Sequence, residues 1–214
     1  MCRAKIKEFF ELAYWKYVKF RKKEFNNNYY KDFFTTYFTI DDTFYNNKSI
    51  LDVGCGPRGS LEWADMASER IGLDPLADKY VKLTEVKHKM NYVKGYLENL
   101  PFENNYFDVV SAFNALDHVE DLKKATSEIK RVLKQGGLFL LIVNIHRYPT
   151  LTEPHTIGWD YIKNNFSDFE IIQEKHLEEV IKNKIYQNLR VHKEIKDTEI
   201  SRTGVLTALL KKRI

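Results

Sequence analysis

Three glycines within six residues, Gly54, Gly56 and Gly59, follow directly on a short apolar run, Ile50-Leu51-Asp52-Val53. The run is brief and β-branched enough to be a buried strand, and the glycines stop it, so the stretch predicts a strand, a tight turn and a helix start. Glycine is needed where the backbone takes positive φ or comes close to a ligand, because a Cβ would collide. Asp74 closes the next apolar segment twenty residues after Gly54. Together, Gly54-x-Gly56-x-x-Gly59 and Asp74 satisfy a fingerprint in which bare backbone approaches a nucleotide and a carboxylate holds its ribose hydroxyls. A glycine turn with no ligand would show the same spacing, so the pattern needs support from elsewhere in the chain.

That support begins at Asp52, inside the strand and two residues before Gly54, in the string L-D-V-G-C-G. The string resembles motif I of the class I S-adenosylmethionine-dependent methyltransferases, specifically a methyltransferase type 11-like domain. Further pieces follow in that family's order between Lys48 and Asn144. Gly95, Leu100, Pro101 and Phe102 match the family's adenine-binding turn, Asn114-Ala115-Leu116-Asp117-His118-Val119 matches its segment after the fourth strand, and Leu133-Lys134-Gln135-Gly136-Gly137 matches the turn before the fifth. Two positions depart from the pattern. Tyr96 stands where an acidic residue commonly meets the adenine amino group, and Arg58 where a third glycine is common.

The resemblance implies S-adenosyl-L-methionine as cofactor, bound by Asp52, Gly54, Cys55, Gly56, Asp74, Pro75, Leu97, Glu98 and Asn114. Gly54 and Gly56 would let backbone approach the homocysteine portion, Asp52 would meet its ammonium directly or through water, and Asp74 would take two hydrogen bonds from the ribose. Asn114 would lie beside the methionine part. Tyr96, or Glu98 with the backbone of Leu97, would receive the adenine. Anionic Asp74 would also repel a ribose 2′-phosphate.

An oxygen or nitrogen acceptor must lose a proton, and histidine is the usual base near neutral pH. His155 and His146, just beyond the fifth predicted strand, are the catalytic candidates, with His118 after the fourth; each alone also suits a structural or surface role. Glu153 lies near two of them, but no tight ligand spacing along the chain marks a metal site, and none is expected.

The elements that must position these groups read as an α/β, Rossmann-like, seven-stranded, mostly parallel sheet with an antiparallel last strand, helices on both faces and an N-terminal helical extension. Predicted strands are Ile50 to Val53, Arg70 to Asp74, Tyr92 to Gly95, Phe107 to Ser111, Leu138 to Val143, Phe169 to Gln173 and Val205 to Leu210, the last two forming a hairpin. Helices are predicted over Ser60 to Ala67, with amides facing the ligand, over Asp121 to Lys134, and over Thr156 to Phe166. Residues 1–47 form an extension or lid and 48–214 the cofactor-binding domain. In the extension, Ile6, Phe9, Phe10, Ala13, Tyr14, Tyr17 and Val18 recur at helical spacing, a stripe that predicts core packing or else a lid. A membrane-surface role is opposed by Glu8 and Glu11. The aromatics between Tyr29 and Tyr45 predict packing or a substrate wall. Residues 177–203 carry no functional pattern.

The 214 residues, 43% hydrophobic, suffice for a sizeable core. A net charge of +4 from 34 basic and 30 acidic residues describes a mixed surface, so a nucleic-acid partner is not indicated. Cys2 and Cys55 cannot staple such a fold, which fits a reducing cytoplasm, and no apolar stretch is long enough to span a bilayer. The function that emerges is methyl transfer to oxygen or nitrogen of a small metabolite or natural product. The alternatives are an NAD-dependent oxidoreductase, and a catalytically silent scaffold to which the departures at Tyr96 and Arg58 point. Oligomeric state is not legible.

Overall fold

The computed structural model describes residues 3–22, 25, 27–84, 87–195 and 203–214. Cys2, Lys23 and Asn26, and part of the 177–203 segment, lie outside the described residues. Seven strands form one sheet: β1 (Ser49–Val53), β2 (Glu69–Asp74), β3 (Asn91–Lys94), β4 (Phe107–Phe113), β5 (Leu133–Ile145), β6 (Phe169–Glu178) and β7 (Gly204–Lys212). Their order is β3-β2-β1-β4-β5-β7-β6. The first five strands run parallel, and β7 lies antiparallel to both β5 and β6. This is the seven-stranded arrangement predicted, with the last hairpin strand inserted beside β5.

Strand alternation divides the core between two faces. Leu51, Val53, Val110, Ala112, Phe139 and Leu141 point to one face, where they meet α4 (Leu122–Val132) and α5 (Tyr161–Asn165). Ala125, Ile129 and Val132 bury the inner stripe of α4, and Asp121 caps it by accepting the Lys124 amide at 2.9 Å. Ile50, Val109, Leu140 and Ile142 point to the other face. That face is covered by α2 (Tyr30–Phe34), the two 3₁₀ turns that follow it, and α6 (Ile185–Val191). Phe34 and Tyr45 are fully buried there, and the Tyr45 hydroxyl donates to the Phe34 carbonyl at 2.6 Å.

Three expectations change. Ser60 to Ala67 is not a helix but a chain of turns closed by i to i+3 bonds. The Arg70 guanidinium draws off the carbonyls of Leu61 and Glu62 at 3.3 and 3.0 Å, which an α-helix would need for its own amides. Trp63 instead packs against Phe34 and Tyr45, so the aromatic segment fills the layer that helix would have occupied. The helix expected over Thr156 to Phe166 is limited to α5, because Ile157 and Trp159 are drawn into the core from irregular backbone.

The third change concerns α1 (Arg3–Lys22), whose aromatic stripe faces solvent rather than the core: Phe9 is 65%, Tyr17 61% and Phe20 84% exposed. Its inward face is largely charged. Lys7 bonds the His118 carbonyl and, at 2.7 Å, the Glu120 carboxylate, and Lys19 bonds the Leu83 carbonyl at 2.6 Å. These hydrogen bonds, together with buried Val18 and the edge-on packing of Trp15 against Tyr80, hold this helix over the strand ends.

The segment from Tyr30 to Tyr45 is thus a structural layer of the sheet. Phe34→Ala should cost about 3 to 5 kcal/mol in chemical denaturation. A loss below about 1 kcal/mol would show instead that this segment is a detachable cover.

Candidate functional site

A cleft of about 930 Å³ opens at the carboxyl ends of β1, β2 and β4. This is where the strand order turns back on itself, and open α/β sheets bind ligands at such a switch point. Gly54, Cys55, Gly56, Asp74, Pro75, Leu97, Glu98 and Asn114 all line it. Of the residues expected to hold a cofactor, only Asp52 is absent from the wall.

Gly54 has φ +70°, and a Cβ there would come within 2.5 Å of the Ala115 Cβ. Any side chain would therefore strain the turn and push apart the ends of β1 and β4. The loop leans on Asp74, whose Oδ2 accepts the Gly56 amide at 3.2 Å and whose Oδ1 accepts the Leu76 amide at 2.8 Å. Each oxygen keeps lone-pair capacity for one further donor, which suits a pair of vicinal hydroxyls. Burial pushes the Asp74 carboxyl up to about 7, against the pull of those two amides.

Asp52 lies beneath the loop, buried, with Oδ1 accepting the Ser111 hydroxyl at 2.6 Å and Oδ2 accepting the Ser60 hydroxyl. Burial raises its carboxyl to about 6. Each of its oxygens is thus taken by a serine hydroxyl beneath the loop.

Leu97 is buried and Glu98 turns away to the next loop, where its carboxylate accepts the Glu120 amide at 2.6 Å and the Asp121 amide at 3.3 Å. The Tyr96 hydroxyl donates to Glu8 of α1 at 2.6 Å. The tyrosine that replaces the family's acidic residue thus ties the adenine-side turn to the overlying helix. Asn114 holds left-handed backbone at φ 56° at the end of β4, and its Oδ1 accepts from Asn144 at 2.8 Å.

The remaining wall comes from residues outside the recognisable motifs. Trp15 of α1 lies over the loop, with the Arg58 guanidinium 5.0 Å from its ring centre. Tyr29 and Tyr30 stack at 4.7 Å and face Tyr186 of α6, beside Lys184 and Arg190. Burial pushes the Tyr30 and Tyr186 hydroxyls upward, so both remain protonated donors. Of the Tyr29 to Tyr45 aromatics, Tyr29 and Tyr30 line the cleft and most of the others pack on the sheet. The segment containing α6 showed no functional pattern, because its contribution depends on where β6 and β7 carry it.

Among the histidines, His118 lines the cleft together with Glu153. His146 sits behind them, its Nδ1 against the Tyr148 carbonyl at 2.9 Å and its Nε2 3.9 Å from Glu153. His155 faces the other way, its Nε2 3.1 Å from the Glu120 carbonyl. Neither expected base lines the cleft: His146 stands behind Glu153, and His118 is the histidine at the wall.

The family profile described as a methyltransferase domain matches residues 51–141. Residues 51–141, somewhat under half of the chain, carry this methyltransferase-domain signature, set in the seven-stranded fold of the class I S-adenosylmethionine-dependent methyltransferases. It is 36% identical over 121 residues to the sterol 24-C-methyltransferase of Candida albicans, an alignment covering 51% of this chain and 32% of that protein. It is 33% identical over 100 residues to the uncharacterized methyltransferase YcgJ of Bacillus subtilis, covering 44% and 39%. The chain thus spans about a third of the length of these curated relatives. The fold is shared with the [4+2]-cyclase SpnF, at TM-score 0.60 and 17% identity over 81% of this chain and 78% of that one. It is shared also with a structure described as a sarcosine dimethylglycine methyltransferase from Galdieria sulphuraria, at TM-score 0.59 and 12% identity over 80% of each chain. Among the described residues no helix is long and apolar enough to cross a membrane.

Because the fold holds the Asp74 carboxyl near 7, a ligand that needs its anion should bind less tightly as pH falls. Affinity for S-adenosylhomocysteine should drop roughly tenfold between about pH 8 and pH 6 by calorimetry. The Asp74→Asn variant should bind weakly and without that slope. A wild-type profile flat across the range would contradict the role given to Asp74.

Proposed function

We propose that the chain transfers a methyl group from S-adenosyl-L-methionine to an oxygen or nitrogen of a small metabolite or natural product. The observation that carries the reading is the convergence of Gly54, Gly56, Asp74, Leu97 and Asn114 on one cleft, with Asp74 left free to accept two more hydrogen bonds. The donor would supply an electrophilic methyl on a sulfonium whose positive charge disappears on transfer.

The residues have correspondingly little covalent chemistry to do. Gly54 and Gly56 give the amino acid tail bare backbone, Asp74 fixes the sugar, and the buried Asp52 offsets the ligand's positive charge before transfer. Helix α1, strapped down by Lys7 and Lys19, excludes water from above. Cys55 and Pro75 fill space beside the sugar, and Leu97 with Glu98 borders the base.

The acceptor is placed on the opposite wall, between the Tyr29, Tyr30 and Tyr186 rings and the His118 and Glu153 group. The rings favour a flat or apolar body, and the sterol methyltransferase relatives support an acceptor of that size. The proton lost by the acceptor leaves at His118, with His146 behind it. His155, occupied with the Glu120 carbonyl, keeps a role only if the 150–155 loop moves. Cytoplasmic location follows as part of the same proposal.

Incubation with methyl-labelled donor and fractionated metabolite pools should place label in a low-molecular-mass product. Asp74→Ala should lower donor affinity about 10- to 100-fold, or about 1.5 to 3 kcal/mol. Tight binding of NAD with no binding of the sulfonium would favour an oxidoreductase. Binding of the donor with no transfer to any pool would favour the silent scaffold.

A further inference from the structure

We propose that Asp117, His118 and Glu153, with His146 behind Glu153, form a site for one divalent first-row metal ion on the acceptor side of the cleft. Asp117 is 0% exposed, and neither of its oxygens has a hydrogen-bond partner among the described residues. A buried carboxylate without a partner is costly unless a cation meets it. The His118 Nε2 lies 3.8 Å from Asp117 Oδ1 and 3.9 Å from Glu153 Oε1. Donor atoms of Asp117, His118 and Glu153 all fall within 4.8 Å of one another.

His146 supplies an independent observation. Its Nδ1 faces the Tyr148 carbonyl at 2.9 Å, and a carbonyl can only accept, so Nδ1 carries the hydrogen. In the neutral ring Nε2 is then a bare lone pair, buried, without a partner, and 3.9 Å from Glu153 Oε2. A lone pair aimed at a carboxylate is repulsive unless something positive lies between them. An imidazole whose outer N–H is fixed by a backbone carbonyl is also the usual form of a metal-bound histidine.

The separations among Asp117, His118 and Glu153 are too long for hydrogen bonds and suit ligands around a common centre, while His146 approaches only the far oxygen of Glu153. Donors about 2.0 to 2.2 Å from one ion lie about 3 to 4 Å from each other. One imidazole with two carboxylates, and a second imidazole behind them, match Zn²⁺, Mn²⁺ or Fe²⁺ better than Mg²⁺ or Ca²⁺. No spacing along the chain announced the set, because β4 and β5 bring together groups separated by up to 36 residues, from Asp117 to Glu153. Thr150 also donates to Glu153 Oε2, at 3.3 Å, which orients that carboxylate.

His118 and Glu153 line the cleft, so the ion's open side would face the acceptor. With the ion bound, His118 is its ligand and not the base: the ion would hold an acceptor oxygen, lower its pKa and let its proton pass to water in the cleft before methyl transfer. That role rests on the proposed function; the binding of the ion does not.

The test is calorimetry of chelator-stripped full chain with MnCl₂ and with ZnCl₂, without donor or acceptor, alongside electron paramagnetic resonance of the Mn²⁺ form. One ion per chain at micromolar affinity or tighter is expected, with nitrogen couplings from imidazole. Glu153→Gln, on a surface loop, and His118→Gln should each weaken binding at least tenfold while circular dichroism stays unchanged, and His118→Gln should remove the nitrogen coupling. Absence of stoichiometric binding, or variants that bind as the wild type does, would overturn the site. Either result would leave donor binding at Asp74 untouched.

Discussion

The structure turns on a buried carboxylate. Asp74 ends β2 and reaches across to the loop after β1, holding the Gly56 amide on one oxygen and the Leu76 amide on the other. That pair of bonds fixes the height of the glycine loop relative to the neighbouring strand, and so the shape of the floor. It also keeps charge at a place where the protein alone disfavours it, as the upward shift of Asp74 shows. A site that holds a carboxylate at a cost, with acceptor capacity left over, is built for a donor from outside. The serines on Asp52 do the same work one layer down, where the carboxylate is shielded rather than offered.

Above this floor the molecule uses polar contacts where packing would be expected. Helix α1 turns its aromatic stripe outward and sets Lys7, Glu8 and Glu11 toward the cleft. Glu8 accepts from the Tyr96 hydroxyl, and Lys7 donates to both a backbone carbonyl and a carboxylate of the loop after β4. These bonds can be exchanged for water at modest cost, which suits a cover that must admit a ligand. The layer below, from Tyr30 to Tyr45, behaves oppositely: it is buried against β1, β4 and β5 and cannot leave without exposing the core.

The sheet was legible because parallel strands buried on both faces read as apolar runs, as at Leu138 to Val143. The lining of the cleft at Gly54 to Gly56, Asp74, Leu97 and Asn114 was legible because it is made of short, local motifs at strand ends. What could not be read were features decided across the fold. The turns at Ser60 to Ala67 depend on Arg70 taking two carbonyls, and helical periodicity carries no trace of that. The outward stripe of α1 satisfies the same spacing as an inward one. The wall from Tyr186 and Arg190, and the convergence of Asp117, His118, His146 and Glu153, arise from the placement of β5, β6 and β7 rather than from any run of residues.

One structure would decide the matter: a crystal of the full chain grown with S-adenosylhomocysteine. Both ribose hydroxyls should lie within about 3 Å of the Asp74 oxygens, with the amino acid tail along Gly54 and Gly56. Density for the nucleoside elsewhere, or Asp74 still joined only to its two backbone amides beneath an empty crevice, would contradict it.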